Sequence, residues 1–290
     1  MLNRVKTLVF LAVLTALFLW LGQAIGGQTG MAIALIFAAV MNIGVYWFSD
    51  RIVLRMYGAH EVRHSDAPQL HATVQNLAMQ AGLPMPKLYV IPESAPNAFA
   101  TGRDPKHSSI AVTQGLLSML DRDEIEGVIA HELGHIRNRD TLIMTIAATF
   151  AGALGHVANM AIWSVFLGGG GHSEDDEHGH PAGGLLALLI APVAATLIQL
   201  AISRAREFLA DEAAARVSGN PLALASALRK LEYARIRVPM ERANPATAHL
   251  FIVSPFFGGG LAKLFSTHPP SRERIARLEA MALRGAAVLI

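Results

Sequence analysis

A chain of 290 residues is long enough for one substantial core or two small ones, and 52% hydrophobic against 16% charged residues make it too apolar for an ordinary soluble domain. The mean hydropathy of +0.39 points the same way, to a membrane protein, while the net charge of +2 comes from scattered Lys and Arg and excludes a nucleic-acid surface. There is no cysteine, so disulfides and thiolate metal sites are excluded and His, Asp and Glu are the strong metal ligands available.

No charged residue occurs from Thr7 to Ser49, and the run is broken only by a Gly-rich stretch from Gly22 to Gly30. About 20 apolar residues cross a bilayer, so the stretch predicts two spanning helices, near 7 to 25 and 31 to 48. A cleaved signal peptide is the alternative, since Arg4 and Lys6 precede the first apolar run. Against it, no convincing small-x-small cleavage site follows, and a second span comes at once.

Residues 50–140 have the mixed character of a water-soluble segment. Ser65, Asp66 and Pro68 open a helix that ends near Gly82, and Lys87 to Ile91 reads as a strand. Asn97 to Thr101 and Ser109 to Thr113 are two more, separated by the turn-like Gly102-Arg103-Asp104-Pro105, which predicts a small antiparallel sheet. Asp121 to Glu124 then opens a helix with apolar Ile125, Val128, Ile129 and Leu133 and acidic residues in its first turn.

Thr141 to Gly171 and Pro181 to Ser203 are again uncharged and predict a second spanning pair, joined by an acidic, His-rich loop at 172–180. Buried helices of a soluble core are the alternative for this pair. Asn220-Pro221 opens a helix to about Arg235, and Pro270 opens a last one with Ile275, Leu278 and Met281. The expected layout is a mainly α, α+β membrane protein. It has two spans in 1–49, a catalytic segment in 50–140, a membrane hairpin in 141–203 and a helical segment in 204–290 that completes the site.

Lys and Arg flank the spans at Arg4, Lys6, Arg51, Arg55, Arg137, Arg139, Arg204 and Arg206, while the two connecting loops hold neither. The positive-inside rule therefore places both termini and the 50–140 segment in the cytoplasm.

His131-Glu132-Leu133-Gly134-His135 lies within the helix opened by Asp121 to Glu124. Its histidines are four residues apart on one helical face, about 6 Å from each other, which suits two imidazoles on one Zn2+. Glu132 stands between them as the candidate general base for metal-activated water, the metalloprotease pattern. A hydrolytic zinc needs a third protein ligand. Glu207 is the candidate, because a membrane hairpin would return the chain to the face it left near His135. Asp211, one turn further on, could orient a ligand histidine. The alternative is that Glu207 and Asp211 merely pair with Arg204 and Arg206 on a solvated helix.

With these residues in view, the chain resembles the HtpX group of bacterial membrane zinc endopeptidases, relatives of the prenyl-protein (CAAX) endopeptidases. The resemblance covers nearly the whole chain. It rests on the two N-terminal spans, Asn97 to Gly102, His131 to His135, the hairpin, Glu207 with Asp211, and Thr267-His268-Pro269-Pro270 followed by Arg274-Ile275. It implies a zincin-like fold with one Zn2+ per subunit and Glu207 as third ligand. It also implies that Asn97, Ala98, Phe99 and Ala100 form an edge strand for the substrate backbone, and that the protein acts on misfolded membrane proteins at the bacterial inner membrane.

His268 and Arg274 could donate to the oxyanion formed during peptide hydrolysis, or could be no more than a capped helix start with a surface histidine. His172, His178 and His180 could bind an external metal but suit a solvated loop better, and His156 reads as a packed helix histidine. The rival functions are prenyl-peptide processing, a membrane metal carrier and a silent scaffold. A carrier should hold several liganding residues inside its spans, and only His156 qualifies.

Overall fold

The structure is a computed structural model that describes residues 2–151, 204–244, 247–255 and 269–288. The remainder of the third expected span, the fourth span, His156, the loop with His172, His178 and His180, and His268 lie outside the described residues.

Helix α1 (Leu2–Met56) is one helical run bent back on itself at Gly26 and Gly27. Gly27 has φ 56° and ψ −144°, a conformation open to glycine because it lacks Cβ. The two arms then run side by side. Asn42 Nδ2 donates to Thr15 Oγ1 at 2.8 Å, and the Phe18 and Phe37 rings meet edge to face at 5.4 Å. A Cβ on Gly30 would lie 2.3 Å from the Gly22 carbonyl oxygen, so the arms come this close through glycine. Ile33, Ile36, Val40 and Ile43 on the second arm and Leu8, Val9 and Val13 on the first face outward. That much exposed apolar surface belongs in lipid. Gly26–Met56 is long and apolar enough to cross a membrane, whereas Thr7–Trp20 and Thr141–Ala151 are shorter apolar helices.

Strands β1 (His60–Glu61), β2 (Lys87–Ile91), β3 (Ala98–Asp104) and β4 (His107–Thr113) form one sheet in the order β1-β2-β4-β3. The antiparallel expectation needs correction: the sheet is mixed. β3 and β4 form an antiparallel hairpin pairing Ala98 with Val112, but β4 lies parallel to β2, pairing Lys87 with Ser109 and Ile91 with Thr113. The cause is the link between β2 and β3. Pro92 and Pro96 flank residues too stiff and too many for a tight hairpin. β3 is carried to the outside, and the β3-β4 turn drops the apolar Ile110-Ala111-Val112 into the centre. Asp104 closes that turn by accepting from the Lys106 and His107 backbone N–H groups. β1, absent from the expected elements, pairs antiparallel with β2.

Both faces of this sheet are buried, with side chains alternating between two cores. Ala98, Ala100, Ile110 and Val112 face a cluster with Val128, Ile129, Leu133, Leu224 and Leu228. Phe99, Ala111 and Ile91 face a second one with Tyr57, Ile143, Ile146, Phe150 and Phe251. Helix α2 (Pro68–Ala81) ends at Gly82, in the left-handed conformation expected of a C-cap, and α3 (Gln114–Met119) follows β4.

Helix α4 (Arg122–Asn138) begins with a capping box in which Asp121 accepts from the Glu124 N–H and the Glu124 carboxylate from the Asp121 N–H. Its buried stretch runs from Gly127 to Ile136 against α2, β3 and the later helices. The apolar helix α5 (Thr141–Ala151) follows, then α6 (Arg204–Ser218), α7 (Pro221–Arg237), a 3-10 turn (Ala248–Leu250) and α8 (Ser271–Val288).

Candidate metal centre

Every polar group inside α4 has a reason to be there. His131, Glu132 and His135 are all buried, and desolvating such groups is costly unless each has a partner. Two of the groups they face, Glu207 and Asp211, come from α6. Gly134, between the two histidines, makes the approach possible: a Cβ there would lie 3.1 Å from Ala210 Cα and 3.3 Å from Ala213 Cβ, so α6 rests directly on the α4 backbone. Glu207 and Asp211, one turn apart on α6, are thereby brought under the histidines.

The His131 and His135 Nε2 atoms face each other at 3.2 Å. Glu207 completes a triangle with Oε1 3.5 Å from His135 Nε2 and Oε2 3.7 Å from His131 Nε2. Two atoms bound to a tetrahedral zinc at its usual bond lengths stand about 3.3 Å apart, so the three fit such an ion with small adjustments. The opposite edges of the rings are tied down by acids. His131 Nδ1 lies 2.9 Å from Asp211 Oδ1, and His135 Nδ1 lies 3.4 Å from Asp140 Oδ2. An N–H on each Nδ1 leaves both Nε2 lone pairs directed at the Glu207 carboxylate. Three electron-pair donors converging in a buried space are the donor set of a divalent cation; the ligand atoms all lie within 4.8 Å of one another.

Arg274 of α8 reaches the same cluster fully buried. Its Nε and Nη2 donate to the two Asp211 oxygens at 2.9 and 2.7 Å, and Nη1 donates to the Ile252 carbonyl at 2.9 Å. Nη1 is also 3.6 Å from Glu207 Oε2, and Nη2 is 3.3 Å from the His131 ring nitrogens. The guanidinium is thus committed to holding Asp211 and balancing two buried carboxylates.

The electrostatics follow from this packing. Burial, opposed by His135 but reinforced by Glu207, pushes the Glu132 carboxyl up to about 7, and the Ala100 backbone N–H donates to it. Burial and Arg274 pull His131 down to about 4, as a metal ligand requires. For His135, burial is overcome by Glu207, Asp140 and Glu132, which raise it to about 9. That value belongs to a ring without a cation in front of it; a divalent ion in the triangle offsets the same carboxylates and takes the proton's place. Asp211, despite burial, is held well below the usual carboxylate range by Arg274.

The sequence-predicted residues therefore divide into groups. His131, Glu132, His135, Glu207, Asp211 and Arg274 come together, which sets aside the solvated-helix alternative for Glu207 and Asp211. Asn97, Ala98, Phe99 and Ala100 are buried on β3 beside α4, and β3 is an edge strand, but its outer side is already engaged. The Ala98 carbonyl accepts from Ile252 N–H at 3.0 Å, and the Asn97 side chain donates to the Val253 carbonyl at 2.8 Å. Further along, Thr141 Oγ1 donates to the Gly102 carbonyl. Asp140, behind His135, escaped the sequence reading, and Arg206, read there as a flanking charge, has its Nε 3.5 Å from Asp140 Oδ1. The available signal was an acid placed immediately before an uncharged run, where burial demands a partner.

Comparison with known proteins agrees with this centre. The family model described as Peptidase family M48 matches residues 64–282. A protein named Protease HtpX homolog from Syntrophobacter fumaroxidans is 56% identical over 283 residues, covering 96% of this chain and 99% of the relative. Another of that name from Pyrococcus furiosus is 54% identical over 279 residues, covering 96% of each. Among solved structures, that of S. mikatae Ste24p shares the fold with a TM-score of 0.52 at 18% identity; the match covers 95% of this chain and 65% of that one. A metal-carrier reading cannot account for near end-to-end likeness to proteases around a buried His-His-Glu triangle, and the chain belongs to peptidase family M48 as a membrane-associated metallopeptidase of the HtpX kind.

Proposed function

We propose that this metallopeptidase holds one zinc ion on His131, His135 and Glu207 and cleaves peptide bonds of misfolded membrane proteins at the cytoplasmic face of a bacterial inner membrane. The observation that carries the metal assignment is the convergence of two Nε2 atoms and one carboxylate, each ring fixed from behind by an acid. When bound, the ion supplies Lewis acidity, acidifying a water molecule and polarising the scissile carbonyl.

The chain's own residues do the rest. Glu132, with its raised affinity for a proton, accepts one from the attacking water and delivers it to the departing amine. Asp211 and Asp140 keep the ligand rings in the tautomer that presents Nε2, and Arg274 holds Asp211 in place. That commitment supports a positioning role for Arg274 and leaves His268 as the candidate oxyanion donor. Asn97, Ala98, Phe99 and Ala100 are the candidates for holding the substrate backbone along the β3 edge. Because Ile252 lies on that edge at Ala98, a bound peptide takes the place of this segment.

Dialysis of the purified protein against a chelator should abolish cleavage of an unfolded membrane protein, and one equivalent of zinc should restore it where magnesium does not. Recovery with magnesium alone would overturn the zinc assignment.

The proposed topology has four spans with both termini cytoplasmic, supported by the two antiparallel arms of α1 and by the Lys and Arg asymmetry. A reporter fused after Ile290 should act as cytoplasmic and one inserted near Gly183 as external. A cytoplasmic signal at Gly183 would refute the second membrane hairpin.

A further inference from the structure

Away from the metal centre, a pocket of about 340 Å³ lies where the membrane helices meet the sheet. The first arm of α1 contributes Thr7, Leu8 and Leu11, the second arm Tyr46, and α5 contributes Leu142. The β3-β4 hairpin adds Arg103 and Asp104, and the end of α4 adds Arg139. One side of this pocket is thus aliphatic and continuous with the exposed apolar surface of α1. The other side is cationic.

Three details distinguish it from a chance surface dent. Arg103 stacks on Trp47, its Cζ 4.4 Å from the ring, and Tyr46 meets Trp47 edge to face at 5.7 Å. Aromatic residues with this amphipathic character collect at headgroup level. Second, the single carboxylate in the lining is largely used elsewhere: Asp104 accepts from the Lys106 and His107 N–H groups and from the His107 ring, with Arg103 Nε at 3.6 Å. Third, Arg139 is exposed and has no carboxylate partner among the described residues, although its backbone is held in the left-handed region at φ 59° as the α4 C-cap.

We infer that this pocket binds the phosphodiester headgroup of an anionic membrane phospholipid, with the phosphate between Arg103 and Arg139 and the acyl chains along Leu8, Leu11 and Leu142. Basic pockets at the ends of membrane helices suit such headgroups, and guanidinium groups pair with phosphate through two parallel N–H donors. The ligand joins pieces that the catalytic unit needs in register. Arg103 follows Gly102, whose carbonyl accepts from Thr141 of α5, and Arg139 follows directly on the motif helix. The inference is separate from the roles proposed for the metal ligands and requires only that α1 lies in a membrane.

The test uses the full chain in nanodiscs of phosphatidylcholine doped with phosphatidylglycerol, with retained lipids counted by native mass spectrometry. The parent should retain phosphatidylglycerol over phosphatidylcholine. An Arg103→Gln/Arg139→Asn double variant should lose that preference by roughly ten- to thirty-fold, and asparagine suits the left-handed position of residue 139. A circular dichroism spectrum of the variant that matches the parent's reports that it is folded. Equal retention of the two lipids by the parent would overturn the inference without any variant. So would an unchanged preference in the double variant, or full displacement of phosphatidylglycerol by millimolar inorganic phosphate, which would mark a free-phosphate site. Failure here leaves metal content and proteolysis untouched, so it is distinguishable from failure of the zinc assignment.

Discussion

Glu132→Gln is expected to keep its metal and to lose proteolysis by about 100-fold to 10,000-fold, the usual contribution of a positioned general base. The substitution preserves the size of a side chain buried among α4, β3 and α6 and removes only its ability to accept a proton. The ligand triangle does not include Glu132, so zinc content should match the parent. The parent should also show an acid limb in its pH profile. Glu132 works as the carboxylate, so activity rises as pH increases through its pKa, which burial raises and which a divalent cation in the place of the His135 proton lowers. The limb should vanish in Glu132→Gln. Full activity in that variant would contradict the assigned role.

The second large effect concerns the ligands. His131→Ala and His135→Ala each remove an electron-pair donor, and the protein should lose both bound zinc and proteolysis. The fold should survive, because the surrounding charges are balanced without them: Arg274 pairs with both Asp211 oxygens, and Arg206 faces Asp140. Intact secondary structure by circular dichroism with zinc near zero per chain is the expected pair of results. Retention of zinc in either variant would move the site elsewhere.

The sequence carried the elements whose signals are local. Asp121 with Glu124 announced the start of α4, Asn220-Pro221 that of α7, and the Gly-rich interruption the reversal of α1. It also carried the two histidines and Glu132, because a spacing of four on a helix is itself a geometry. Relations between distant segments were harder to read. Strand order depends on how a Pro-containing link travels, so the parallel β2-β4 pair was hidden in a sequence that shows three strands and turns. Asp140 carries no local signal for a role beside the motif, and only the folded chain turns it behind His135. Arg274 was legible as a candidate but its direction was not, since a long side chain on α8 could reach either the substrate or Asp211. Asn97 likewise turned out to clamp residue 253 across the edge of the sheet.

Glu207 is the ligand that no local spacing determines, and the zinc content of Glu207→Ala tests the centre most directly. Elemental mass spectrometry on protein purified side by side should give about one zinc per chain for the parent and for Glu132→Gln, and close to none for Glu207→Ala, with proteolysis lost in both variants. A Glu207→Ala protein that holds a full zinc and cleaves its substrate at the parent's rate would contradict the His131, His135 and Glu207 centre.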